Sequence, residues 1–269
     1  MVKKLFKHEI QAFTRPLIPM YLVMLGVALM GRFVQLFEND SDAYAILFGS
    51  SIGVFVISAV VCLVLTIFFC IKRFYSNLFS SEGYLTLTLP VTSTQHILVK
   101  NTVAVLAQLT SIVMILLSVC VLTLGDVCIE IFKAGGYLMN VFFDAYNGHA
   151  PLLIIEAIVT ILFATSASMM IYYACIAIGQ RAKKNRIACS IGAYFVYYLI
   201  YQAIGTIFII IVTVFHEALH LDQFVEYLAN NPIVANHLYF GLFFVISAIL
   251  FPIGFVITKR TMDRKLNLE

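Results

Sequence analysis

The stretch FYSNLFSSEGYLTLTLPVTSTQ, Phe74–Gln95, interrupts two long apolar runs, and the side of the membrane on which it lies decides how the whole chain is threaded. Apolar residues run from Tyr44 to Ile71 before it and from Ile97 to Leu124 after it. Each run exceeds the ~20 residues that a helix needs to cross the hydrocarbon of a bilayer. Similar runs occupy Leu17–Phe37, Leu152–Ile178, Ile187–Phe215 and His237–Ile257, so six spans are predicted. Composition agrees: 62% of residues are hydrophobic, 12% are charged, and the mean hydropathy is +0.98. A soluble domain is about half apolar and about a quarter charged. Alternating segments of about 10 residues, the mark of a membrane β-barrel, are absent. The expected fold is an all-α integral membrane protein, one transmembrane domain over residues 1–269.

Charge sets the orientation. With both termini inside, Lys3, Lys4, Lys7, Arg15, Lys72, Arg73, Lys100, Arg181, Lys183, Lys184, Arg186, Lys259, Arg260, Arg264 and Lys265 all fall on the inner side. Of the 17 basic residues only Arg32 and Lys133 then remain outside, a strong positive-inside asymmetry. Glu38, Asp40, Asp42, Asp126, Glu130, Asp144, Glu217, Asp222 and Glu226 fall outside. The connector at residues 73–95 is therefore placed in the cytoplasm of a cell whose plasma membrane holds the chain. Basic residues so distributed orient a membrane protein and do not describe a nucleic-acid surface. The six cysteines form no CxxC pair, so a zinc ribbon and a redox motif are excluded, and buried thiols are expected; a Cys120–Cys128 disulfide is the one alternative.

Residues 1–16 read as an interfacial helix. Val2, Phe6, Ile10 and Phe13 recur at helical spacing among Lys3, Lys4 and Lys7, and Arg15-Pro16 is expected to turn the chain into the first span. No cleavage site of small residues follows, so the segment does not read as a removable signal. Outside, residues 126–150 are apolar enough to dip into the interface. Residues 216–236 are expected to form one or two short helices, broken at Asn230-Asn231-Pro232.

Within the connector, Arg73 to Phe79 should extend the second span helically, and Glu82-Gly83 should break it. YLTLTL would leave its backbone unpaired as a lone strand, so a short helix ending at Pro90 is expected. Thr92 and Gln95 have capping-box spacing at the start of the third span. A compact inner knob with apolar side chains facing out is the result, and exposed apolar surface of that kind marks docking.

The run SEGYLTLTLPVTSTQHILVKNTVAVL resembles the segment between the second and third spans of ABC-2 type transporter permeases of Gram-positive bacteria. Glu82, Gly83, Leu85, Leu89, Pro90, Val91 and Lys100 carry that likeness over about a tenth of the chain, with RFYSNLFS ahead of it. The resemblance implies a cytoplasmic coupling helix that inserts into a separate nucleotide-binding subunit. Phe79, Tyr84 and Leu85 would be its anchors and Glu82 a partner contact, flanked by Gly83, Leu89 and Pro90. It also implies ABC ATPase partners carrying ATP and Mg²⁺, a second permease copy or paralogue, and short outer helices before the last span. No G-x-x-x-x-G-K-[ST] occurs in this chain, so no Walker A cradle, cofactor or ATPase site is expected in it.

HEALH, His216–His220, offers the competing reading. Two imidazoles four residues apart on a helix can share one Zn²⁺, with Glu217 as general base. The extended motif would need Gly at Gln223 and His at Glu226, and neither is present; Glu226 or His237 would have to complete His216 and His220. A membrane scaffold or sensor without catalysis is the third class. Glu156, about a turn inside the fourth span, is a candidate substrate-pathway carboxylate, because charge inside a membrane faces protein or water. Arg32 is expected to snorkel or to pair with Glu38 or Asp40. Gly49 and Gly53 hint at close helix contact, and Thr165–Ser168 at helix packing. The threading is directly checkable. In a chain with its six cysteines replaced, Ser81→Cys should react with a membrane-impermeant maleimide only after the cells are permeabilised; labelling in intact cells would reverse the topology.

Overall fold

The structure, a computed structural model, describes residues 2–37, 41–79, 83, 91–146, 148–182, 184–215 and 221–264. They form α1 (Val2–Gln35), α2 (Asp42–Phe79), α3 (Ser93–Leu122), α4 (Asp126–Ala145), α5 (Ala150–Gly179), α6 (Arg186–Val214), α7 (Leu221–Asn230) and α8 (Pro232–Arg264). Among the described residues there is no strand. Six helices, α1, α2, α3, α5, α6 and α8, are long and apolar enough to cross a membrane. Their outward faces carry Leu22, Ile57 and Ile209, each more than 60% exposed, as lipid-facing surfaces do.

Helix boundaries follow local chemistry. Thr92 Oγ1 accepts from the Gln95 backbone N–H at 3.3 Å, while Gln95 Oε1 accepts from the Thr92 N–H at 3.2 Å. This is the expected capping box, and it opens α3. The expected break before the last span is also present, with α7 ending at Asn230 and Pro232 opening α8. The turn expected at Arg15-Pro16 is not. α1 runs unbroken through Pro16 and Pro19, each of which removes one backbone donor without stopping the helix. The loop at 126–150 folds largely into the 20-residue α4, and among its described side chains none is buried.

Helix contacts group the chain into two compact units, residues 1–141 and 142–269. In the first unit α1 lies parallel to α3 and antiparallel to α2. Glu9 meets Lys100, Tyr21 meets Ser111 and Gln35 meets the Leu122 carbonyl, whereas Glu9 also meets Arg73. The N-terminus, the end of α2 and the start of α3 therefore share one end of this unit, and the connector joins two helices there. At mid-length Ser111 Oγ lies 2.8 Å from both Tyr21 Oη and Thr66 Oγ1, so one hydroxyl joins three helices. Met24, Ala28, Phe55, Cys62 and Leu122 form the apolar core beyond it. At the other end Arg32 Nη1 donates to Gln35 Oε1 at 2.8 Å, and Gln35 Nε2 donates to the Leu122 carbonyl at 3.0 Å. Arg32 thus helps close the end of α3, where Gly125 has φ +111°, a backbone conformation that favours glycine, and a Cβ would lie 3.0 Å from the guanidinium. Glu38 and Asp40, its expected partners, lie outside the described residues.

In the second unit α5 and α8 run parallel. Thr160 contacts the Phe240 carbonyl, the Phe163 and Phe244 rings are 5.0 Å apart, and Arg181 donates to Thr261 Oγ1 at 3.2 Å. α6 packs antiparallel on α5, with Tyr172 5.3 Å from Tyr194, and none of its residues is buried. Close approach is made at glycines other than the expected pair. Gly49 and Gly53 face open space, and a methyl group at either would touch nothing within 4 Å. A Cβ on Gly179 would collide with the backbone of Ser190, and one on Gly254 would lie 2.9 Å from the Met170 carbonyl oxygen. Of the Thr165–Ser168 stripe, Ala167 is the buried member at 2% exposure, whereas Ser168 is exposed and bonds back to the Thr165 carbonyl. All six cysteines are free, Cys120 and Cys128 included, so the disulfide alternative fails. These contacts rank the glycines. Gly179→Ala should lower stability by about 1–3 kcal/mol through overpacking, and Gly49→Ala should change it by less than about 0.5 kcal/mol, both read from denaturant unfolding in mild detergent.

Candidate functional site

The end of the first unit that carries the connector holds a buried ionic cluster. Glu9, on the α1 stripe that continues through Phe13 and Leu17, is 3% exposed, as is Lys100. Lys100 Nζ donates to Glu9 Oε1 at 2.6 Å, and Arg73 Nε donates to Glu9 Oε2 at 2.7 Å. Asn77 Nδ2 completes the carboxylate's shell at 3.3 Å. The Arg73 guanidinium also lies over the Phe13 ring, 5.8 Å from its centroid, where a cation is attracted to the ring face. Three helices are thereby fastened at one point. Both cations reach the same carboxylate, one to each oxygen.

The arrangement follows from the cost of burying ions. A lone carboxylate out of water costs several kcal/mol, and only close partners with good geometry offset this. α1 supplies the anion at the register that meets α2 and α3, and each of those supplies a cation near the end that joins the connector. Phe74 and Leu78 are buried beside the cluster at 1% and 0% exposure, as are His96 and Ile97 of α3 at 1% and 0%. His96 precedes Lys100 by one helical turn on the same face. Among the described residues neither of its ring nitrogens has a hydrogen-bond partner.

The expected docking residues divide sharply. Phe79 is 5% exposed, its ring 5.8 Å from that of Phe74, so it packs inward and does not stand out as an exposed anchor. An aromatic ring at the end of a helix beside a buried core gains more from that core than from water. Gly83 is helical and buried. Glu82, Tyr84, Leu85, Leu89 and Pro90 lie outside the described residues, as do His216, Glu217 and His220. His237, one of the two side chains that could have completed a metal site with that motif, is engaged elsewhere: its Nδ1 lies 2.7 Å from Glu156 Oε2. Among the described residues no group of three or more His, Cys, Asp or Glu side chains is placed to hold a metal ion.

Glu156 therefore acts as a tie between α5 and α8, with its side chain 33% exposed. His149 stands beside it, its ring 6.0 Å from that of His237, and Asn236 Nδ2 donates to Tyr146 Oη at 2.8 Å. Five polar side chains from three segments so close one end of the second unit.

Glu9 is the residue that pattern reading missed. Val2, on the apolar face expected to lie in the interface, is 39% exposed, and the side of the helix buried against its neighbours carries Glu9, Phe13 and Leu17. The available signal was a single acidic residue among the basic ones of the first fifteen, spaced four and eight positions before two apolar residues. Comparison with known families, with curated proteins and with solved structures finds no match to this chain. The cluster makes a quantitative demand. Lys100→Met should destabilise by about 1.5–3 kcal/mol, since the buried carboxylate loses a charged hydrogen-bond partner while Arg73 and Asn77 stay. Adding Glu9→Gln should recover at least ~1 kcal/mol of that loss as a coupling energy. Additive losses in denaturant titrations would mean that the pair is not coupled.

Proposed function

We propose that this chain is the membrane-spanning permease subunit of an ABC transporter of the ABC-2 type, moving or flipping an amphipathic substrate such as a peptide, drug or lipid. ATP and Mg²⁺ would be bound by a separate ATPase subunit, and a second permease, identical or related, would complete the pathway. The connector at residues 73–95 is the coupling element in this reading, with both chain termini in the cytoplasm. The observation that carries it is the ionic cluster at the roots of the connector. Glu9, Arg73 and Lys100 bind α1, α2 and α3 together where the connector leaves and returns. A coupling element needs such stiffness, because a partner that pushes on a loosely rooted loop bends the loop and leaves the helices where they are.

Six helices able to span a membrane support the reading, as does the local likeness of Glu82, Gly83, Leu85, Leu89, Pro90, Val91 and Lys100 to permeases of that class. Phe79 packs inward, so in this reading the docking contacts rest on Glu82, Tyr84 and Leu85, which the resemblance implies. The test is co-purification with an ABC ATPase, the first to be tried being one encoded by a neighbouring gene if such a gene is found. Leu85→Asp and Glu82→Ala should each reduce capture, Leu85→Asp at least tenfold. Undiminished capture by both variants would remove the connector from the mechanism, and transport by the purified chain without an ATPase would remove the reading altogether.

A further inference from the structure

A cavity of about 290 Å³ opens between α1 and α2 at the end that carries the ionic cluster. Its two halves differ in chemistry. Phe13, Pro16 and Phe69 form an apolar wall, and Lys72, Arg73 and Ser76 form a polar one. The level of the cavity is fixed by the sequence. The apolar run of α2 ends at Ile71 and that of α1 begins at Leu17, so Phe69 lies within the hydrocarbon, and Phe13, Pro16 and the polar wall lie at its headgroup boundary. α2 has 38 residues, so at 1.5 Å per residue it is about 57 Å long. The hydrocarbon is only about 30 Å thick, so the turns after Ile71 stand clear of it.

Charge identifies the occupant. Of the two cations in its lining, Arg73 is paired with Glu9, and Lys72 is exposed and makes no ion pair among the described residues. The pocket therefore presents excess positive charge at headgroup depth, beside aromatic and proline surface. Basic pockets between helices at that level suit anionic headgroups. The volume lies at the lower edge of ligand sites, about 300–1,000 Å³, and so suits a headgroup with the first part of its acyl chains.

We propose that this cavity binds one anionic phospholipid, its phosphate against Lys72 and Arg73 and its glycerol and upper acyl chains against Phe13, Pro16 and Phe69. The site is independent of any ATPase partner and requires only that the helices lie in a membrane. Lys72 makes no contact within the Glu9 cluster, so it can be replaced without disturbing the pair that holds the helices. The test is native mass spectrometry of the purified full chain titrated with phosphatidylglycerol or phosphatidylcholine in detergent. One phosphatidylglycerol should bind about tenfold more tightly than phosphatidylcholine. Lys72→Gln should cut that preference at least fivefold, Lys72→Arg should keep it, and Lys184→Gln should leave it unchanged. Phe69→Ala should weaken both lipids, and it reports on the apolar wall if Lys72→Gln proves unfolded. Equal binding of the two lipids, or an unchanged preference in folded Lys72→Gln, overturns the proposal. So does displacement of the lipid by millimolar glycerol phosphate, which would make this a free-anion site.

Discussion

A carboxylate withdrawn from water between Lys100 and Arg73 is the constraint around which the first unit is arranged. In lipid, apolar side chains do little to choose between helix registers, because the surrounding acyl chains are as apolar as leucine. Sliding α1 by one turn past α3 would keep most of its greasy contacts. It would also move Glu9 about 5.4 Å from its cations, and the stranded charge makes that shift costly. The ion pair contributes register more than net stability. The Tyr21–Ser111–Thr66 hydroxyls and the Gln35–Leu122 bond repeat the same device with neutral groups farther along α1. Three polar points along one helix leave it a single alignment against α3.

The second unit meets the same requirement by other means. Gly179 brings α6 against α5, and Gly254 brings α8 against the Met170 carbonyl. At those distances dispersion contacts are dense, and no side chain can intervene. The ends are then tied by Glu156 with His237 and by Arg181 with Thr261. α6 has no buried residue, so its side chains present a nearly continuous apolar surface along the span.

The spans, their order and several of their ends were legible because they rest on local rules. About 20 apolar residues define a crossing, Thr92 with Gln95 makes a capping box, and Asn231-Pro232 stops one helix and starts another. What could not be read depends on which faces meet. The Val2–Phe6–Ile10–Phe13 spacing defines an apolar stripe correctly as a pattern, but the phase of burial is set by Arg73 and Lys100, 64 and 91 residues from Glu9. Gly49 and Gly53 show the converse. A small-residue spacing invites close contact only where a neighbour stands opposite, and none does among the described residues. Phe79 belongs to the same class, since an aromatic residue at the end of a helix reads as exposed until Phe74 is found beneath it.

The two roots of the connector differ in how they are held, and the difference bears on the proposed transporter. α3 begins with a capping box whose hydrogen bonds lie on the exposed surface, so its first turn is fixed by its own backbone. α2 ends with Phe74, Leu78 and Phe79 buried, so its last turns are fixed by packing against their neighbours. Between these roots stand Lys100 and Arg73, each reaching the same carboxylate of α1. A displacement of the connector toward or away from the membrane cannot be absorbed at either root without breaking a cap, opening an aromatic contact or exposing an ion. The least costly response is for α1, α2 and α3 to move together, and that is the motion a permease subunit would have to make when its ATPase partner pulls.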